Sequence, residues 1–191
     1  MTVSEALRTF IAIELGPQVQ KTLGAVQEQL RKADADIRWV KPGNIHLTLK
    51  FLGEISVKKI KAVSESFPSI FSAFHAFDIA VPHLGVFPGK GNPRVLWAGI
   101  EQGAAQATAI AQAVEDYLAK LGFPKERKEF VPHITLGRVR SKRNLPALQA
   151  ALNDFVFPQP CRGRVSAVTL FKSTLTPQGS IYEPLIEARL A

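Results

Sequence analysis

Two seven-residue stretches, one in each half of the chain, limit its possible folds more than any other feature: Ile45-His46-Leu47-Thr48-Leu49-Lys50-Phe51 and Pro132-His133-Ile134-Thr135-Leu136-Gly137-Arg138. Polar and apolar residues alternate through both with period two, the signature of a half-buried β-strand. Residues two apart in an extended chain share a face. His46 and Thr48 therefore point one way and Leu47 and Leu49 the other, while His133 and Thr135 oppose Ile134 and Leu136. The chain is predicted to contain two strands that each bury one face and offer an imidazole and a hydroxyl from the other.

The segments around them alternate in kind. Thr9 to Leu15 is β-rich and continues the N-terminal strand that begins at Met1, after which Val19, Leu23, Val26 and Leu30 form the stripe of an amphipathic helix. Ile37 to Val40 and Ile45 to Leu52 read as strands split by Lys41-Pro42-Gly43-Asn44, and Ile60, Val63, Phe67 and Ile70 mark a second helix. Phe77 to Val81, Val86 to Phe87 and Arg94 to Ile100 are extended. The second half repeats the theme, with a helix near Ala104 to Leu121 stopped by Gly122, a strand at His133 to Val139 and a short helix around Leu145 to Leu152. Strands follow near Arg164 to Lys172 and Ile181 to Arg189. Mixed helices and mostly antiparallel strands define an α+β architecture. No linker rich in Ser, Gly or charge divides the halves, so residues 1–191 are expected to form one folding unit of two similar lobes.

Several classes of protein are excluded by what the chain lacks. No apolar run approaches the ~20 residues that cross a bilayer, and Met1 to Leu15 lacks the organisation of a secretory signal. Cys161 is the only cysteine, which rules out an intrachain disulfide framework and a thiol zinc site and fits a reducing cytoplasm. His75 and His83 lie in no ligand spacing, so no metal and no cofactor are expected. The loop from Gly85 to Arg94 has the glycines and lysine of a phosphate-binding loop, but its spacing is one residue short and Gly91 replaces the Ser or Thr that would hold magnesium. A net charge of +8 favours anionic partners, nucleic acid first.

A lone His-x-Thr is more often a hydrogen-bonded sheet residue than a catalyst, but two copies, one per half, reverse those odds. If a pseudo-twofold axis relates the halves, the polar faces can oppose one another and bring both imidazoles and both hydroxyls to one phosphate. Opening a cyclic phosphate needs a base to take a proton from water and an acid to give one to the departing oxygen. Imidazole titrates near a pKa of about 6.5, so one ring can be neutral while the other is cationic. A threonine two residues on can hydrogen-bond a nonbridging oxygen as charge develops there.

These strands and the stretches Arg8-Thr9-Phe10-Ile11-Ala12-Ile13, Arg38-Trp39-Val40, Leu52-Gly53-Glu54, Pro93-Arg94-Val95-Leu96-Trp97 and Leu170-Phe171-Lys172-Ser173 resemble, nearly end to end, the two-histidine phosphoesterase superfamily. Within it they are most similar to the bacterial and archaeal RNA 2′,3′-cyclic phosphodiesterase family, also called 2′-5′ RNA ligase. The resemblance implies a bilobal fold with two mainly antiparallel sheets facing a central basic cleft and helices on the outside. It also implies hydrolysis of terminal 2′,3′-cyclic phosphates to 2′-phosphates, with reversible 2′-5′ joining as a second activity. Carried over by position, His46 would be the general acid for the leaving 3′-oxygen and His133 the base that activates water. Thr48, Thr135 and Arg138 would hold the phosphate, and Phe51 would stack on the terminal nucleobase. The implied partner is RNA with cyclic phosphate ends, tRNA fragments included, acted on by a cytoplasmic monomer without metal.

Strict alternation conflicts with part of that assignment, because Phe51 and Arg138 each lie five residues after a histidine and so fall on the opposite face. A bulge or strand end must intervene. Gly137 offers that freedom beside Arg138, while Lys50 is the residue that alternation favours over Phe51 for phosphate contact. A rival reading keeps the cleft and its charge in a noncatalytic RNA-binding module, where the histidines only donate hydrogen bonds.

Overall fold

Each apolar stripe in the sequence becomes the buried side of an element. The computed structural model describes residues 6–157 and 161–191, so the first five positions of the expected N-terminal strand lie outside it. The chain runs β1 (Ala6–Glu14), α1 (Pro17–Arg31), β2 (Ile37–Trp39), a 3₁₀ turn (Pro42–Asn44), β3 (His46–Ser56), α2 (Val57–Ile70), β4 (Phe77–Val81), β5 (His83–Phe87) and β6 (Val95–Gly99). It continues through α3 (Ala104–Lys120), β7 (His133–Val139), α4 (Leu145–Asn153), β8 (Cys161–Val165), β9 (Ala167–Thr176) and β10 (Gly179–Arg189). Pro17 opens α1, where a missing N–H costs nothing, and the Ser56 hydroxyl caps α2 by accepting from the Lys59 N–H.

The extended stretch near Arg164 to Lys172 is two strands, because the chain crosses between sheets at Ser166. β8 pairs with β4 in a small two-stranded sheet, while β9 pairs with β1 and β10. All other strands belong to the large antiparallel array β10-β9-β1-β3-β7-β6-β5, with β2 also on β7. Its two halves, β10-β9-β1-β3 and β2-β7-β6-β5, are the two sheets of the expected bilobal fold. They meet at one register pair, Leu47 opposite Ile134. Beyond that pair β3 and β7 part, and β2 takes up the edge of β7 at Gly137, Arg138 and Val139.

One face of this array carries the core. Ile11, Ile13, Leu47, Leu96, Ile134 and Leu136 are buried there against the α1 stripe of Val19, Leu23, Val26 and Leu30, together with Val63 and Phe67 of α2 and Ile110, Val114 and Leu118 of α3. Burying an aliphatic side chain of this size is worth about 1.5–3 kcal/mol, so a stripe of four fixes a helix against its sheet. The other face is sparsely apolar, with a small separate cluster of Phe10, Ala12 and Phe171. That second face is open to form a cleft.

Candidate active site

The pair Leu47–Ile134 positions the four residues that the sequence singles out. Continuing its antiparallel register by one residue each way sets His46 beside Thr135 and Thr48 beside His133, all on the face opposite the two core residues. Directly opposed side chains in such a ladder stand about 4.5–5.5 Å apart at Cβ and diagonal ones about 7–8 Å. On that extended register the histidines fall on one diagonal and the threonines on the other, and all four line one cleft.

Each histidine is held in the same way. The Nδ1–H of His46 donates to the Asn44 carbonyl at 2.7 Å, and that of His133 donates to the Val131 carbonyl at 2.7 Å. Using Nδ1 as the donor leaves Nε2 of each ring as the nitrogen that can exchange a proton with a ligand. Nε2 of His46 is 2.9 Å from the Thr48 hydroxyl. Phe10 packs on the His46 ring at 5.0 Å and Tyr182 meets it edge-on at 5.3 Å, while Phe87 meets the His133 ring edge-on at 5.1 Å with Trp97 behind at 6.4 Å. Burial pushes the His46 pKa below its ordinary value, opposed in smaller measure by the hydrogen bond to Asn44.

Bulges resolve the conflict over Phe51 and Arg138, and both lie three residues after a histidine. On β3 the register passes from Thr48 opposite Ala12 to Lys50 opposite Ile11, so Leu49 is the extra residue. On β7 it passes from Thr135 opposite Trp97 to Gly137 opposite Leu96, so Leu136 is extra. Each insertion reverses the alternation. Phe51 thereby joins the face of His46 and Thr48, where it is 52% exposed and 5.8 Å from Phe10, and Arg138 joins the face of His133 and Thr135. The same reversal corrects the alternative placed on Lys50. This side chain is turned inward and buried, and its Nζ donates to Glu115 at 2.6 Å and to the Pro124 carbonyl at 2.9 Å.

Gly137 plays a different part from the one its flexibility suggested. A Cβ there would stand 2.5 Å from Cγ2 of Ile37, so the residue lets β2 close on β7. The β7 bulge itself is fixed from α1. The Leu136 carbonyl accepts from the Val40 N–H at 2.9 Å and from Nε2 of Gln27 at 2.8 Å, and the same Gln27 nitrogen donates to the Val40 carbonyl at 2.8 Å. Gln27 is 1% exposed and was not singled out from the sequence; the signal was a polar residue on the apolar stripe of α1, between Leu23 and Leu30. Phe10 and Trp97 stand in the family-like stretches but carried no role there, and nothing local marked Tyr182.

Together His46, Thr48, Phe51, His133, Thr135 and Arg138 line one cleft of about 720 Å³, walled by residues 125–131 and floored in part by α3. His75 and His83 lie outside it, and among the described residues no three His, Cys, Asp or Glu side chains cluster as metal ligands. No helix among them is long and apolar enough to cross a membrane.

Comparison with known proteins agrees with the doubled geometry. The family model for LigT-like phosphoesterases matches twice, over residues 13–97 and 99–182, once for each His-x-Thr strand. A Thermotoga maritima protein named RNA 2′,3′-cyclic phosphodiesterase is 36% identical over 183 residues, covering 96% of this chain and 95% of its own length. A Methanothermobacter thermautotrophicus protein of the same name is 32% identical over 184 residues, covering 96% and 99%. The crystal structure of E. coli LigT complexed with 3′-AMP superposes with a TM-score of 0.78 at 27% identity, covering 98% of this chain and 99% of that one. Two matched halves, each bringing one histidine to a shared cleft, place this chain in the LigT-like phosphoesterase family.

Proposed function

We propose that this protein is an RNA 2′,3′-cyclic phosphodiesterase that opens terminal cyclic phosphates to 2′-phosphates without a metal, using His46 and His133 as its acid and base. The observation that carries this reading is the single cleft lined by His46, Thr48, His133 and Thr135, with the Nδ1 of each histidine tied to a backbone carbonyl. Such ties fix ring orientation and tautomer, so proton transfer is left to the two Nε2 atoms. The names carried by relatives at 32–36% identity support an enzyme over a noncatalytic RNA-binding module.

The steps follow from two rings that line one cleft, each with its Nδ1 tied to a backbone carbonyl. Neutral His133 accepts a proton from water at Nε2 as the water oxygen bonds to phosphorus. On the far side the phosphorus–O3′ bond breaks, and the Nε2–H of cationic His46 protonates the departing oxygen. This division of roles follows the family resemblance. Burial disfavours the cationic form of His46, and an arriving phosphate anion offsets that penalty by placing negative charge beside the ring. Thr48 and Thr135 donate to nonbridging oxygens, Arg138 adds a fixed positive charge, and exposed Phe51 offers a stacking face for the terminal base. With a 5′-hydroxyl in place of water as the nucleophile, the same ring opening joins RNA ends through a 2′-5′ linkage at this site, and its reversal recloses the cyclic phosphate.

The two lobes act as one catalytic domain over residues 1–191, working as a monomer in a reducing cytoplasm on RNA ends such as tRNA fragments. In excess EDTA the purified protein should convert a cyclic-phosphate oligonucleotide to its 2′-phosphate. His46→Ala and His133→Ala should each lower kcat by about 10²–10⁴-fold. Undiminished turnover in either variant refutes the assignment, and activity abolished by EDTA refutes metal independence.

A further inference from the structure

A second cleft of about 650 Å³ adjoins the first and shares Val40, Phe51, Arg138 and Tyr182 with it. Its lining contains five cationic side chains, Arg8, Arg38, Lys41, Arg138 and Arg140, and no carboxylate. They come from β1, β2, β7 and the turn before β3, so the fold, and no single basic stretch, gathers them. Among the described residues none of the five forms an ion pair. Glu54, the register partner of Arg8, does not pair with it.

Arg38 and Arg138 are directly opposed across β2 and β7. Like charges in that position destabilise an antiparallel pair, and an anion lying between them reverses the sign of the effect. Arg140 extends the row, its N–H donating to the Asp36 carbonyl at 2.9 Å just past the end of β7. The aromatic rings of Phe10, Trp39 and Tyr182 lie among the cations. Interleaved positive charge and aromatic faces are what a single-stranded nucleic acid needs, and the aromatic faces accept any base.

We propose that this second cleft holds the backbone of the nucleotides preceding the RNA terminus, with Arg38 and Arg138 sharing one phosphodiester and Arg8, Lys41 and Arg140 the next. The proposal deepens the phosphodiesterase reading of the adjoining site and rests on it. It makes the enzyme selective for RNA ends over cyclic mononucleotides without making it selective for sequence.

The test compares binding of a hexaribonucleotide ending in a 2′-phosphate with binding of a 2′-phosphate mononucleotide, by calorimetry across a salt series. Wild type should bind the hexamer at least about tenfold more tightly, and Arg8→Ala with Arg140→Ala should remove most of that margin while mononucleotide affinity and cyclic-mononucleotide turnover stay unchanged. The salt slope for the hexamer should fall by about 0.7 for each phosphate that the double variant no longer neutralises. Equal affinity for both ligands, or a double variant that binds the hexamer as wild type does, overturns the proposal. So does a polyglutamate peptide of matched charge that binds as tightly as the hexamer, since the groove would then be a general anion surface. Should the hexamer bind as expected while wild type opens no cyclic phosphate, the catalytic reading fails and the groove stands.

Discussion

His46 shows how a single ring can be tuned by what covers it. Its carbonyl tie at Nδ1 matches that of His133, yet the rings of Phe10 and Tyr182 close over it and burial lowers its pKa. Tyr182→Ala admits water to that side, removes part of the desolvation and so raises the pKa. In the kcat/KM profile against pH, the limb that belongs to His46 should move toward higher pH in this variant while the other limb stays in place. Coincident profiles for wild type and variant would show that burial by Tyr182 does not control the ring. The sequence offered no route to this effect, because Tyr182 reaches His46 only through the order in which β10, β9, β1 and β3 lie side by side.

Between strands, the decisive features are the two bulges. Alternation in the sequence correctly placed His46, Thr48, His133 and Thr135 on one face, because period two is a property of the bare chain. It could not reveal that Leu49 and Leu136 each take an extra position, since a bulged leucine reads like any other apolar residue in a strand and only the partner strand exposes the shift. The requirement for a bulge was nonetheless legible, from Phe51 and Arg138 standing on the wrong parity. Its fixture on β7 is Gln27, whose amide satisfies the buried Leu136 carbonyl and the half-buried Val40 carbonyl. Gln27→Leu leaves the Val40 carbonyl without this donor and should cost about 1–3 kcal/mol in urea unfolding. The same variant should raise KM more than it lowers kcat, because it loosens Arg138 and leaves both histidine ties intact. An unchanged KM would separate the bulge from phosphate binding.

Across the whole molecule, the Lys50–Glu115 pair links the β3 half to the wall around the His133 half. Lys50 holds Glu115 of α3 and the Pro124 carbonyl, and the other Glu115 oxygen accepts from the Glu126 N–H at 3.2 Å, at the start of the segment that leads to Val131 and His133. With the side chains of Lys50 and Glu115 only 3% and 16% exposed, removing one partner strands a charge. Glu115→Ala should therefore destabilise the fold by about 3–5 kcal/mol in denaturant titrations, whereas replacing both residues with apolar ones of similar size should recover most of the loss. A double replacement as unstable as the single one would show that the pair itself, and not the stranded lysine, supplies the stability. The sequence suggested a phosphate contact for Lys50, and the bulge before it explains the difference.

The lone rung at Leu47 and Ile134 also governs what changes of length the chain can absorb. Sliding one strand past the other by one residue would turn a histidine and its threonine into the core together, so half of the reactive apparatus would vanish in one step. A slide of two would keep both sets facing outward but set like against like, histidine opposite histidine in one direction and threonine opposite threonine in the other. Loops far from that rung can grow or shrink freely, whereas an insertion between either histidine and its neighbouring apolar anchor cannot be repaired by any later adjustment of the side chains.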